Sequence, residues 1–221
     1  MKSSVNRNEK LFMTILALEF SSVRRSVALA RGGVVLAEAA VQTDARGTDA
    51  FGLIEKVLAE AKIARKEIEV VVVGLGPGSY TGIRAAIAVA QGWQLATSAK
   101  LLGVSSADAI AAQAQAEKIF GRVNVVIDAQ RGEFYLAAWD IAETERKEVS
   151  PLKIVSGAEK TARENAGEIC VGPEAARLIF PSAAMISRLA EGRSDFMAGE
   201  KLEPIYLRET NFVKAPAAGN F

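Results

Sequence analysis

The residues that could do chemistry gather in one glycine-rich stretch and at two strand ends. Gly74-Leu75-Gly76-Pro77-Gly78-Ser79-Tyr80-Thr81-Gly82 combines four glycines, a proline and two aliphatic hydroxyls. It lies between a β-branched run at 68–73 that reads as a buried strand and an alanine-rich run at 83–96 that reads as a helix. A strand, a glycine turn and a helix N-terminus can cradle an anion, because several backbone N–H groups point one way. The same residues can equally make a tight turn in which a side chain would clash. The stretch has no terminal Lys-Ser/Thr pair and not the dinucleotide-binding glycine spacing, so neither usual nucleotide fingerprint applies. Glu19 and Asp128 each close a predicted strand. Such carboxylates could hold Mg²⁺ or activate a water, or could satisfy the turn that follows. Arg131 could reach a phosphate or stand as a solvated turn residue.

Composition narrows the chemistry. The chain has no histidine and one cysteine, Cys170. That removes Ser-His-Asp and Cys-His catalysis, His-based metal sites, thiolate zinc and any internal disulfide framework. A metal would need carboxylates and water. The net charge of +1 over 221 residues gives no bulk argument for nucleic acid or anionic membrane. Half the chain is hydrophobic and 24% is charged, as in ordinary globular proteins. No run is long enough for a membrane span, and the polar start lacks the apolar core of a signal peptide. The expectations are a cytoplasmic protein and, at 1–12, a disordered extension or start-site artefact.

The elements that position these residues read as strands at 14–19, 26–30 and 34–41, the last two joined by Arg31-Gly32-Gly33. A helix over 47–62, the strand to 73 and a helix over 81–98 complete a mixed α/β lobe. Ser105 or Ser106 caps a helix running to about 118. Strands follow at 123–128, 133–140, 148–155 and 168–171, with a solvated loop at 143–148. Short helices are predicted at 173–179 and 183–191, and a strand or ordered tail at 202–209. Strand, carboxylate, polar turn and small-residue strand occur at 15–30 and again at 125–138. This suggests two related lobes with a cleft between them. The helix after the glycine block is apolar over most of its circumference. It is either buried on several sides or turned toward a partner chain.

Several ordered blocks resemble the bacterial TsaB (YeaZ) family: residues 14–19, Gly76-Pro77-Gly78-Ser79-Tyr80-Thr81-Gly82-Ile83-Arg84, Gln91-Gly92, residues 102–106, residues 127–135 and Glu203-Pro204-Ile205-Tyr206-Leu207-Arg208. The resemblance implies an actin-like, Hsp70-like and sugar-kinase-like α/β fold (the ASKHA fold) with two mixed-sheet lobes, the second reduced. The expected division is a lobe over 13–101, with the C-terminal tail a candidate addition to it, and a lobe over 102–221. The resemblance further implies a role in making threonylcarbamoyladenosine beside the tRNA anticodon. The chain would be a non-catalytic partner and activator of the metal-binding paralogue TsaD, joined by the ATPase TsaE. It would meet tRNA indirectly and form a homodimer in isolation. No catalytic residue, metal site or cofactor of its own is expected; ATP and Mg²⁺ would enter only within the complex.

The same resemblance places the partner interface on the two helices flanking the glycine block. The expected contacts are Phe51, Ile54, Leu58, Tyr80, Ile83, Arg84, Ile87, Val89, Ala90, Gln91 and Gln94. A vestigial nucleotide or anion site would comprise Glu19, Gly76, Gly78, Ser79, Thr81, Asp128 and Arg131. Two departures stand out. Glu19 replaces the usual Asp, which displaces the carboxylate by a methylene, and Arg46-Gly47-Thr48-Asp49 lacks the usual histidine. Val171-Gly172-Pro173-Glu174 would be a remnant of an adenosine-binding loop. Older peptidase-like names for such proteins conflict with a chain that has no histidine. The rival from another class is an independent ATP-dependent small-molecule kinase or ATPase of the same fold, using Glu19 and Asp128. A third reading is a self-associating homodimer with no dedicated partner.

Overall fold

The computed structural model describes residues 12–43 and 49–207. The first sheet contains β1 (Thr14–Glu19), β2 (Arg24–Arg31), β3 (Val34–Gln42), β4 (Val70–Gly74) and β5 (Lys100–Val104), in the order β3-β2-β1-β4-β5. β2 pairs antiparallel with both β1 and β3, and β4 runs parallel to β1 and β5. Every residue of β1 and β4 is buried. A central strand covered on both faces needs an unbroken apolar run, as both have apart from Thr14, Glu19 and Gly74.

The second sheet contains β6 (Gly121–Asp128), β7 (Glu133–Ile141), β8 (Arg146–Ser156), β9 (Ile169–Gly172) and β10 (Arg177–Leu178), ordered β10-β9-β6-β7-β8. Counted within each lobe, both sheets have the order third, second, first, fourth, fifth. The first three strands are antiparallel neighbours, and the fourth and fifth are added in parallel. The duplicated mixed sheets define the two-lobed actin-like fold that the sequence predicts.

The helices occupy corresponding places in the two halves. α1 (Ala50–Ala61) and α4 (Gly157–Asn165) each link the third strand to the fourth, and α3 (Ser106–Ala116) and α5 (Ala183–Ala190) each follow the fifth. α2 (Tyr80–Thr97) links β4 to β5. Its counterpart between β9 and β10 is only a turn, which reduces the second lobe. Serine or aspartate caps start the helices: Asp49 accepts from Gly52 N–H at 2.8 Å, Ser79 from Gly82 N–H and Ser105 from Asp108 N–H, both at 3.3 Å.

α1 and α2 cover one face of the first sheet, burying Leu16, Leu18, Val71, Val73, Ile54 and Ile83. α5 covers the other face, where Ile186 meets Ile15, Val70 and Val72. α3 is shared: Ala109 and Ala112 pack toward the first sheet, and Ile110, Ala111 and Ala114 against Val123, Val125 and Trp139 of the second. Each fully buried Leu or Ile contributes about 1.5–3 kcal/mol of transfer free energy.

Several expectations change. The boundary at 101/102 falls inside β5, and α5 packs on the first lobe rather than the second. Residues 173–179 form a turn and β10 rather than a helix. α4 is an additional helix, and β8 begins within the predicted loop at 143–148. Residues 202–207 form no strand. Residues 1–11 of the expected extension lie outside the described residues.

Candidate functional site

The glycine block is built into the protein by its own hydrogen bonds. Leu75 N–H donates to Val104 O at 2.8 Å and Ser79 N–H to Ser21 O at 2.7 Å. Gly76 N–H donates to Ser106 Oγ at 3.1 Å, and Ser106 N–H returns to Gly76 O at 2.8 Å. Ile83 N–H closes the first turn of α2 on Ser79 O at 3.0 Å. These amides are therefore held by protein acceptors. The glycines at the helix entry serve close approach. A Cβ on Gly78 would sit 2.1 Å from Ser21 O, and one on Gly82 would sit 2.0 Å from Phe20 O.

Glu19 is not at the cleft surface. It is fully buried, with Oε1 accepting from Ser21 N–H and Oε2 from Ser106 Oγ–H, both at 2.8 Å. Its carboxylate lies over Gly74, where an added Cβ would stand 1.9 Å from Oε2. Burial raises its pKa, against the lowering effect of the bonds from Ser21 and Ser106. The expected metal or anion role for Glu19 is thus replaced by a buried tie between β1, β4 and the start of α3.

Between the lobes lies a cleft of 350 Å³, lined by Ser21, Ser22, Arg25, Gly78, Ser79 and Thr81 on one side and Asp128, Gln130 and Glu174 on the other. Of the seven sequence-predicted anion-site residues, it gathers Gly78, Ser79, Thr81 and Asp128. Gly76 is buried against Ser106, and Arg131 lines a separate, neighbouring cavity. Glu174 Oε2 accepts from Asp128 N–H at 3.0 Å. Burial pushes the Glu174 carboxyl up, and the Asp128 charge adds to the rise against the pull of that bond. Two acids facing the cleft disfavour a bare phosphate. Among the described residues no three His, Cys, Asp or Glu side chains converge on a point that could hold a metal. Of the two acids on which the rival kinase reading relies, Asp128 lines this cleft and Glu19 does not.

The expected partner helices divide cleanly. Ile54, Leu58, Ile83, Ile87 and Ala90 belong to the core of the first lobe and present no side-chain surface to a partner. Their helical spacing marks the side that packs on the sheet. Gln91 Nε2 donates to Gly199 O at 2.8 Å and Gln94 Oε1 accepts from Gly199 N–H at 3.0 Å, so both clamp the tail to α2. The outer face carries Phe51, Tyr80 and Leu95, exposed by 64, 54 and 88%, together with exposed Arg84 and half-buried Val89. The sequence reading overlooked Leu95, whose place one helical turn beyond Gln91 and Gly92 was the available signal. Phe51, Val89 and Trp93 border a 360 Å³ depression between α1 and α2. The Trp93 indole N–H is buried there with no hydrogen-bond partner among the described residues.

A tyrosine cluster beside the glycine block was also missed as a unit. The Tyr80 and Tyr206 rings stack with centroids 5.6 Å apart. The Arg84 guanidinium lies 5.1 Å from the Tyr80 ring centre and donates to the Tyr80 hydroxyl. Burial raises the Tyr206 pKa, with the neighbouring Tyr80 adding to the rise and Arg84 opposing it.

The fold and this site define a two-lobed, actin-like α/β protein. A family model for tRNA N6-adenosine threonylcarbamoyltransferase (TsaD) matches residues 18–192. The tRNA threonylcarbamoyladenosine biosynthesis protein TsaB of Escherichia coli is 32% identical over 127 residues, covering 58% of this chain and 55% of that protein. Its Bacillus subtilis namesake is 28% identical over 140 residues, covering 63% of this chain and 60% of that protein. The chain thus spans a little over half the length of these relatives. The solved structure of YeaZ from Pseudomonas aeruginosa superposes with a TM-score of 0.76 at 24% identity, covering 88% of this chain and all of that one. The chain belongs to the TsaB (YeaZ) branch of the TsaD-type family. Among its described residues no helix is long and apolar enough to cross a membrane.

Proposed function

We propose that this chain is a non-catalytic subunit of the complex that transfers a threonylcarbamoyl group to the tRNA adenosine beside the anticodon. It acts there as dimerisation partner and activator of a TsaD-like catalytic paralogue, with a TsaE-like ATPase joining the assembly and tRNA reached through the complex. The observation that carries this reading is the outer face of α1 and α2. Phe51 stands in solvent there at the edge of a depression between the two helices, and Leu95 stands in solvent on α2. A partner would cover these apolar side chains. In isolation a second copy of the chain takes the same place. The buried state of Glu19 supports a chain that brings no Mg²⁺–ATP of its own. Family membership supports a cytoplasmic site of action.

Depletion of the protein should lower threonylcarbamoyladenosine in bulk tRNA, measured by nucleoside mass spectrometry. Tagged wild type should co-purify the catalytic paralogue, and a Leu95→Glu variant should not. Unchanged modification on depletion would sink the reading. ATP turnover by the purified chain that is lost in Asp128→Asn would favour the independent kinase instead.

A further inference from the structure

Beside the interlobe cleft is a second cavity, of 240 Å³, which shares Gly78, Tyr80, Asp128 and Gln130 with the cleft. The stacked rings of Tyr80 and Tyr206 form one wall, Tyr135, Ile83 and Ile205 contribute further apolar lining, and Arg131 stands on the turn that completes it. The stack is held in place from behind. Ile205 N–H donates to Leu75 O at 2.9 Å, Met197 N–H to Leu101 O at 3.0 Å, and Gln91 and Gln94 grip Gly199. Tyr206 is thus carried on a fixed tail, and the residue remains 46% exposed. Two planar faces kept half in water beside an apolar pocket suit a planar ligand.

The charges select among planar ligands. Arg84 already lies against Tyr80, and Arg131 is exposed. Two guanidinium groups repel a cationic side chain and attract an anion. Asp128 also lines the pocket, held by the Gln130 backbone N–H at 2.8 Å and by the Gln130 side chain. Each oxygen of its carboxylate keeps a further acceptor position, suited to an exocyclic amine or a ribose hydroxyl. Aromatic faces, a hydrogen-bonding edge and a nearby arginine are the elements that recognise an unpaired nucleotide. The cavity has room for one base, not for a duplex.

We propose that this pocket binds a single unstacked nucleotide, its base on the Tyr80–Tyr206 stack and its phosphate toward Arg131. The nucleotide comes from a single-stranded RNA segment or is a free mononucleotide. The inference goes beyond the subunit role above and does not depend on it, since it concerns the isolated chain.

The test uses the full chain, a fluorescein-labelled short oligoadenylate followed by anisotropy at low salt, and AMP followed by calorimetry. Tyr206→Ala should weaken binding by roughly 5- to 100-fold, the loss expected for one stacked base. Tyr206→Phe should bind as wild type, because the stacking face remains. Arg131→Ala should weaken binding and flatten its salt dependence. Circular dichroism melts would establish that each variant is folded. Binding of the oligomer alone assigns the pocket to RNA, and equal dependence for AMP assigns it to free nucleotides; both support the proposal. Failure of wild type to bind either ligand overturns it. So does binding by folded Tyr206→Ala at the wild-type level, or loss of binding in Tyr206→Phe. Threonylcarbamoyladenosine levels test the subunit role separately.

Discussion

Two glycines in α2 should respond in opposite directions to the same substitution. Replacing a mid-helix Gly with Ala ordinarily stabilises by about 0.5–1 kcal/mol, because Ala loses less backbone freedom on folding. Gly92 meets that condition: a Cβ there has nothing within 4 Å. Gly92→Ala should therefore stabilise by about 0.5–1 kcal/mol. At Gly82 the new carbon would lie 2.0 Å from the carbonyl oxygen of Phe20. That oxygen belongs to the backbone leaving a buried strand and cannot swing aside like a side-chain tip. Overpacking of this kind costs about 1–3 kcal/mol or more, which outweighs the propensity gain. Gly82→Ala should therefore destabilise on balance, by about 2 kcal/mol toward the upper end of that cost, and the two variants should differ by the overpacking cost itself, about 1–3 kcal/mol or more. Urea unfolding, with midpoints and slopes compared, measures both. Because Gly92 lies on the outer face of α2, a concentration series separates an effect on self-association from one on the fold. Equal shifts, or stabilisation by Gly82→Ala, would refute the idea that α2 is seated directly on the Phe20–Ser21 backbone.

Glu19 should make the protein less stable as pH rises. Burial raises its folded pKa above the ordinary value of 4.5, so the native state holds its proton more tightly than the unfolded state. Its contribution is fully present below about 4.5 and is lost as pH rises through the folded pKa; a difference profile against Glu19→Gln should show this fall removed. Leu95→Glu should leave the melting curve of the isolated chain nearly unchanged while weakening association on gel filtration. Ile87→Glu should unfold the first lobe, since its side chain lies in the core. Cys170 is buried and its thiol pKa is raised, chiefly by burial and further by Glu164 and Glu168. Ellman's reagent should accordingly label it slowly in native buffer and rapidly in denaturant.

The strands and their repeat were legible because burial on both faces forces local composition: the valines of β4 allow few other assignments. The Ser105 cap was legible because capping is a local bond. α4 was missed because none of its residues is buried, so it has little apolar period to detect. Ser156 and Glu159 do stand at capping-box spacing, the signal that could have revealed it. The turn at 173–176 was mistaken for helix because its small apolar residues serve the packing of the second sheet instead. Among the side chains expected at a partner face, the sequence did not separate those that pack in the first lobe from those left exposed. The spacing of Ile83, Ile87 and Ala90 marks an apolar face without saying what covers it. The position of Glu19 was illegible for a different reason. Its burial depends on Gly74 and Ser106, which reach it only through the parallel pairing of β4 with β1 and β5.

The asymmetry between two topologically equal halves bears most directly on function. Each lobe has five strands in the same order, yet only the first keeps a long helix between its fourth and fifth strands. In the second lobe a turn containing Pro173 and Glu174 takes that place and borders the cleft. In the first lobe the strand-end acid, Glu19, is withdrawn to hold Ser21 and Ser106, which fixes the entry to α3. α3 is in turn shared by both sheets, and α5 returns from the second lobe to cover the first. An opening and closing nucleotide clamp needs a reactive cleft and lobes free to move apart. Here the acid is withdrawn from the cleft and two helices tie the lobes together. The same economy leaves α2 with one side buried in the first lobe and the other, from Tyr80 to Leu95, facing solvent. On this exposed side of α2, substitutions should alter association or binding before they alter stability.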